Sequence, residues 1–196
     1  MAADIIDVSL LDEKPTPEDI QRSIRDILYM MDQAFAFTLF IEKRKLLGEP
    51  LPPEHSDISS LIQWNASVES SLNSLRALNE FLTPTPPSKN KKTRSDIRAD
   101  MLQGIGYTGP IKAFLKKKEY REISQMLSHL TANRNTQRNP KKNWPLAQYL
   151  ESMINALEPI ILFFQDVIYK NNDWNKAHIQ ESQKRRREWL KKFLNN

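Results

Sequence analysis

Apolar residues recur at intervals of three and four along most of this chain, and this spacing constrains the fold more than any other feature of the sequence. Such spacing places apolar side chains on one face of an α-helix, whereas a strand would alternate apolar and polar residues. No alternating stretch of useful length is found. Twelve prolines stand against four glycines, and the prolines gather at the borders of the apolar segments, as in helices joined by turns. The sequence therefore predicts an all-α protein.

Two long helices are predicted in the first part of the chain. The first begins at Thr16, with Asp19 completing a capping box, and ends near Leu47. The second is capped by Ser56 or Asp57 and ends before the Pro-rich segment that follows it. Because the link between the two helices is short, we expect an antiparallel helical hairpin.

The middle of the chain changes character. Residues 83–96 are rich in proline and lysine and lack a helical apolar pattern, which predicts a flexible link inside the domain. A short connecting helix follows and ends at Gly104 or Gly106. A third long helix is predicted from Pro110, with a break near Lys117 as an alternative.

The last third of the chain predicts two more helices. A fourth long helix opens at Trp144, and Pro159 inside it should kink the helix or remove one backbone hydrogen bond. The expected architecture is a single helical-bundle domain over residues 1–170, followed by a C-terminal basic amphipathic helix over residues 171–196.

Charge is distributed unevenly along the chain. Residues 1–88 hold seven Lys and Arg against fourteen Asp and Glu, a net charge of −7, whereas residues 89–196 hold twenty-two against ten, a net charge of +12. A basic half of this kind is typical of a surface that faces a polyanion, although helical proteins also carry basic faces that serve solubility alone.

The inventory of residues argues against several classes of activity. The chain has no cysteine, and its three histidines are far apart and lack metal-ligand spacing. Phosphate-binding, dinucleotide-binding and serine-hydrolase glycine motifs are also missing. We therefore expect neither a metal site nor a cofactor.

No membrane span or targeting segment is predicted. The most apolar run, residues 27–41, contains Asp32 and Gln33 and is shorter than the roughly 20 residues that a transmembrane helix needs. The acidic N-terminus lacks the basic and apolar regions of a signal peptide. A cytoplasmic protein is expected.

One histidine stands out as a candidate for catalysis. His129 lies one position off the apolar stripe of its helix, and Arg134 falls on the continuation of that stripe. A neutral imidazole could move a proton while the arginine binds a phosphate, and cleavage of RNA by its own 2′-hydroxyl needs only such groups. The structural alternative is that His129 caps its helix and Arg134 binds the carbonyls at the helix end.

The surroundings of His129 resemble small bacterial helical proteins related to the HEPN superfamily. The resemblance covers about residues 118–164 and rests on Glu119, Tyr120, Arg121, Ser128, His129, Leu130, Thr131, Arg134, Trp144, Pro145, Leu146, Phe163 and Phe164. It implies an all-α bundle and, in active members, metal-independent RNA cleavage by toxin or defence proteins. The active pattern places an arginine shortly before the histidine, whereas here Arg134 follows it, and Ser128 stands where alanine is usual.

Basic side chains on both sides of the histidine are candidates for binding phosphates. They would bind RNA without reading its sequence, and the affinity would fall with salt. A set of unrelated solvated charges is the alternative. The candidates are Lys116, Lys117, Lys118, Arg138, Lys141 and Lys142.

The C-terminal helix combines a run of cations with an apolar anchor. Trp189, Leu190 and Phe193 are candidate partner-binding residues. Three alternatives are open: the aromatic residues dock on the bundle, or the helix binds nucleic acid, or it lies on a membrane or in the groove of a protein partner.

Two hypotheses for function follow. The first is an HEPN-like protein that binds RNA, either as a metal-independent ribonuclease or as a catalytically inactive relative. The second is a non-enzymatic helical bundle that acts through a protein partner or through homodimerisation.

Overall fold

Every regular element in the described parts of the chain is helical, which confirms the all-α prediction. A computed structural model describes residues 16–50, 57–83, 97–129 and 145–194. The helices are α1 (Pro17–Ala34), α2 (Ala36–Leu46), α3 (Ile58–Phe81), a 3-10 helix (Ala99–Ile105), α4 (Lys117–His129), α5 (Leu146–Phe163), a π-helical turn (Phe164–Ile168) and α6 (Asp173–Leu194). Residues 84–96 of the predicted flexible link lie outside the described residues.

The predicted starts of α1 and α3 are found in the structure. The Thr16 hydroxyl accepts a hydrogen bond from the backbone N–H of Asp19, whose carboxylate accepts one from the N–H of Thr16 in return, so the capping box is present. Of the two candidates for the cap of α3, Asp57 is the residue that acts, because its carboxylate accepts a hydrogen bond from the N–H of Ser60.

A hydroxyl group from α3 interrupts the first predicted helix at Phe35. The N–H of Phe37 donates to the Ser71 hydroxyl at 2.9 Å instead of to the carbonyl of Gln33. That hydroxyl lies 3.5 Å from the Gln33 carbonyl, so it is inserted between the two groups that a continuous helix would join. Insertion of a side chain into the backbone ladder is a known cause of helix kinks. The predicted single helix is therefore two segments, α1 and α2.

The first two predicted helices form the expected antiparallel pair. Gln33 lies beside Ser70, and Phe37, further along the same arm, packs edge-on against Trp64, which comes earlier in α3. The core lies between α1, α3 and α5, where apolar side chains from all three are buried together. Its largest members include Ile27, Met31, Phe35, Leu72, Leu75, Leu78, Leu150 and Phe164.

The helix predicted from Pro110 begins only at Lys117, at the break that the sequence offered as an alternative. The preceding segment is not helical because a side chain of α3 takes its backbone donors. Buried Asn79 accepts hydrogen bonds from the N–H groups of Phe114 and Leu115 at 3.0 and 2.8 Å. As a result, α4 is a short helix of 13 residues.

Helix α5 runs through Pro159 and widens afterwards. It continues to Phe163, and the next turn is π-helical, with the N–H of Tyr169 donating to the carbonyl of Phe164 at 2.8 Å. The Tyr169 hydroxyl then donates to the Gln21 carbonyl of α1. This turn directs the chain back across α1, where α6 begins.

Helix α6 docks on the bundle, which is the first of the three alternatives for the C-terminal segment. Ile179, Ser182 and Arg186 are buried, and the Trp189 ring lies 5.5 Å from that of Phe35. The helix contacts α1, α2 and α5. The long apolar anchor therefore serves the packing of this chain against itself.

Candidate functional site

The predicted catalytic pair lies at the border of the described structure. His129 is the last residue of α4, and its side chain lies outside the described residues. Arg134 lies outside them as well, together with Arg138, Lys141 and Lys142. A ribonuclease centre at His129 stays a prediction.

The three lysines Lys116, Lys117 and Lys118 are exposed at the start of α4. Glu119 accepts a hydrogen bond from the N–H of Lys116 at 2.7 Å, so a carboxylate occupies the helix start beside them. The lysine side chains are accessible to a phosphate, and their role in RNA binding stays a prediction.

Two of the predicted partner-binding residues face the bundle. Trp189 and Leu190 are partly buried and pack against the core, while the side chain of Phe193 lies outside the described residues. The Arg185 guanidinium lies over the Trp189 ring, 5.2 Å from its centre. Within the described structure, Trp189 and Leu190 hold α6 in place.

The strongest polar cluster of the described structure joins α1 to α6. Asp32 accepts a hydrogen bond from Nε of Arg186 at 2.7 Å and one from Nη2 of Arg185 at 2.8 Å. Arg186 also donates from Nη2 to the Leu28 carbonyl and to the Ser182 hydroxyl. The Arg186 side chain is 1% exposed, so this network pairs a charge inside the protein.

Burial and pairing act in opposite directions on Arg186. Desolvation lowers the pKa of its guanidinium, and the carboxylate of Asp32 partly offsets that effect. Its Nη1 atom is buried and finds no hydrogen-bond partner among the described residues. One carboxylate thus serves two guanidinium groups, which leaves positive charge at the base of α6.

A groove of about 350 Å³ lies between α1, the π-helical turn and α6. This volume falls within the usual range for small-molecule sites. Its floor is apolar and its rim carries aromatic and polar groups. It is lined by Ile24, Arg25, Leu28, Tyr29, Asp32, Tyr169, Trp174, Asn175, His178, Ile179 and Ser182.

The rim of this groove exposes two large aromatic side chains. Tyr29 on α1 is 64% exposed and Trp174 on α6 is 70% exposed. The His178 ring lies parallel to Trp174, with an interplanar angle of 6° and 5.8 Å between the ring centres. One helical turn separates the two residues, so α6 presents two flat rings in the same orientation. A planar ligand could stack on this surface.

Aromatic and cationic side chains share one side of α6. At 3.6 residues per turn, the residues of this stripe lie within roughly 60° of one another around the helix axis. We call this set the aromatic–cationic stripe: Trp174, His178, Arg185, Trp189 and Lys192. Because Trp189 packs inward, the open rings of the stripe are those of Trp174 and His178.

The described residues contain no group of three or more histidine and acidic side chains that could hold a metal ion. None of the helices in this part of the chain is long and apolar enough to cross a membrane. The lining of the groove offers stacking, hydrogen bonding and charge to a ligand.

Sequence patterns alone missed this groove, although two signals pointed to it. Asp32 interrupts the most apolar run of the chain, and a carboxylate that is partly removed from water by a packed helix needs a partner. The Arg185–Arg187 run supplies that partner, yet a run of cations also fits a solvated surface. The exposure of Trp174 had no sequence signal, because tryptophan is highly buried on average.

Comparisons of the chain with protein-family models, curated proteins and solved structures find no match.

Proposed function

We propose that this protein binds single-stranded RNA, with the bases stacked on Trp174 and His178 in the groove beside α6. The observation that carries the proposal is the parallel pair of rings, open to solvent, on a helix with seven Lys and Arg against three Asp and Glu. Proteins that bind single strands without sequence preference combine aromatic platforms with a basic surface.

Stacking explains why the rings are exposed. A tryptophan that is 70% exposed leaves a large apolar face in water, and covering that face with a base would stabilise the complex. Such a contact contributes about 1–3 kcal/mol per base. Tyr29, on the opposite rim, offers a third ring within the same groove.

Charge supports the same class of ligand. Arg25 lines the groove and is exposed, and Asp32, the one carboxylate among the described residues that line it, is bound by Arg185 and Arg186. A phosphate approaching the groove would therefore meet a neutralised acid and a nearby cation. Binding of this kind depends on the ionic strength of the solution.

The protein-partner alternative shares the exposed aromatic residues but predicts a different response to salt. Tyrosine and tryptophan are also common at the centres of protein interfaces. An apolar protein interface would change little with salt, whereas RNA binding should weaken steeply between about 50 and 200 mM salt. We propose RNA because the groove that exposes Trp174 and His178 is also lined by the exposed cation Arg25.

The ribonuclease activity that the HEPN resemblance implies is a separate proposal. It would reside at His129 and Arg134, which are distant in sequence from Trp174 and His178. RNA binding does not require it. Incubating RNA with the wild type and with His129→Ala, without metal, tests cleavage directly.

Binding is measured by fluorescence anisotropy with labelled oligouridine of about 12 nucleotides, a length within the usual site size for such proteins. Trp174→Ala should weaken binding by roughly 5- to 100-fold, the equivalent of one stacked base. Ile62→Ala, which removes an equally exposed apolar side chain from α3, should have no effect. A duplex of the same length should bind less tightly, since its bases are not free to stack.

Two results would overturn the proposal. One is the absence of oligouridine binding at low salt, and the other is equal affinity of Trp174→Ala and the wild type. Self-association that depends on protein concentration and not on salt would instead support the homodimer hypothesis.

A further inference from the structure

Three consecutive arginines of α6 face two carboxylates across the bundle. Asp32 of α1 binds Arg185 and Arg186, and Glu158 of α5 binds Arg187 through its Oε1 atom. These five groups leave one positive charge in excess. Because Arg186 is almost wholly buried, this excess lies partly inside the protein, where an uncompensated charge is costly.

The donors of Arg186 are unequally used. Nε is bound by Asp32, and Nη2 is bound by the Leu28 carbonyl and the Ser182 hydroxyl. Nη1 is the donor that remains, and it has no partner among the described residues. A buried guanidinium nitrogen with unused N–H groups can bind an oxyanion when a second donor lies beside it, because hydrogen bonds between ionised groups are strong.

Arg186 lines a narrow cleft on the α5 side of α6. The cleft holds about 10 Å³, which is close to the space of a single water molecule. Its apolar wall is formed by Met31, Ile154 and Ile161, and its polar lining by Glu158, Gln183, Arg186 and Arg187. The Glu158–Arg187 pair belongs to this lining, so the two side chains restrict access to Arg186.

We propose that this cleft is the closed form of a binding site for a phosphate-class oxyanion, with Glu158 occupying the place of the ligand. On opening, Arg187 leaves Glu158 and binds the oxyanion together with Nη1 of Arg186 and the amide of Gln183. Arg187 is 54% exposed, so its side chain has room to move. Exposed ion pairs are weak, and an anion that binds two guanidinium groups can replace one of them.

This site is separate from the RNA groove. The groove is lined on α6 by residues between Trp174 and Ser182, whereas the cleft is lined by Gln183, Arg186 and Arg187 on the flank that faces α5. The inference therefore does not depend on the proposed function. Its test uses inorganic pyrophosphate and no RNA, so that either proposal can fail alone.

Pyrophosphate binding is measured by isothermal titration calorimetry on the full chain, at constant ionic strength, with wild type, Glu158→Gln and Glu151→Gln. Both substitutions remove one negative charge from α5, but only Glu158 lines the cleft. Glu158→Gln should bind pyrophosphate about two- to fivefold more tightly than the wild type, because the competing ion pair is removed. Glu151→Gln should match the wild type.

A second pair of variants tests the same cleft through its cation. Arg187→Gln should reduce pyrophosphate affinity at least tenfold, whereas Lys184→Gln, an exposed cation one turn earlier on α6, should leave it within about twofold. Equal affinity of Glu158→Gln and Glu151→Gln, or full binding by Arg187→Gln, would overturn the inference. Absence of pyrophosphate binding in both the wild type and Glu158→Gln would do so as well.

Discussion

Arg186 of α6 donates a hydrogen bond to Asp32 of α1 at 2.7 Å, across 154 positions of the chain. The arginine is 1% exposed and the aspartate 28%, so the pair lies at the inner edge of the bundle. It fixes the side of α6 that faces α1. That choice determines which residues of α6 line the groove and which line the cleft toward α5.

Asp32→Asn should lower the free energy of unfolding by about 3 kcal/mol, because it leaves the Arg186 guanidinium buried without a counter-charge. Urea unfolding followed by circular dichroism measures this change. The double variant Asp32→Leu with Arg186→Met should be less destabilised than Asp32→Asn, since it removes both charges. A double variant that is less stable than Asp32→Asn would show that the pair stabilises the fold beyond the cost of its burial.

Ser71→Ala should destabilise the protein by about 1–3 kcal/mol, because the N–H of Phe37 loses its acceptor at the kink. Ser59→Ala, on the exposed face of the same helix, is the matched control and should have little effect. The free energies of unfolding of the two variants give the comparison. If the backbone closes a regular helix through Phe35 instead, Ser71→Ala will be as stable as the control.

Asn79→Ala removes the acceptor for two backbone N–H groups in the segment before α4. We expect a loss of about 1–3 kcal/mol for each N–H group that stays buried, and faster hydrogen exchange at Phe114 and Leu115. Asn73→Ala, an exposed asparagine of α3, provides the control. Unchanged exchange at both positions in Asn79→Ala would mean that Asn79 does not hold this segment.

The cap of α3 should make stability depend on pH. Hydrogen bonds from the side chain and backbone of Ser60 hold the pKa of the Asp57 carboxyl below its ordinary value of 3.8. A lowered pKa in the folded state means that the contribution is present above pH 3.8 and is lost as the pH falls through the folded pKa. Asp57→Asn keeps a good capping residue without the titration. Between about pH 5 and pH 2, the unfolding midpoint of the wild type should therefore fall further than that of Asp57→Asn.

That comparison has a clear contrary result. Parallel pH profiles of the wild type and Asp57→Asn would show that Asp57 contributes nothing through its charge. The nearby Arg44, 3.8 Å from the Asp57 carboxylate, adds a weaker attraction that acts in the same direction.

Local sequence determined the helix class and several helix starts. The capping box at Thr16 and Asp19 depends on residues three positions apart, and the apolar stripes of α1, α3 and α5 depend on neighbouring turns. Such features can be predicted from short stretches of sequence, because they arise from backbone donors and side chains that are close in sequence. The start of the next helix was predicted at Pro110, with a break near Lys117 as the alternative, and α4 begins at Lys117.

The interruptions and the groove were decided by tertiary contacts. Ser71 breaks the first helix from another helix, and Asn79 holds the segment before α4 from 35 positions away. Neither residue has a local pattern that marks it, since the partner backbone is supplied by packing. The same applies to Trp174, whose exposure follows from the way α6 crosses α1.

The sequence by itself determined that this protein is built from helices and that its positive charge lies in the second half of the chain. Only the tertiary structure decided which cations are buried, which are exposed to solvent and which lie in contact with aromatic rings. The physical reason is the sequence separation of the interacting residues. Helix capping and apolar periodicity involve residues a few positions apart, whereas a buried charge can be paired with a residue from any part of the chain that the fold brings close. Arg185 and Arg186, near the end of the chain, bind Asp32 of α1 in this way. This pairing places α6 beside α1, and the groove lies between the two helices.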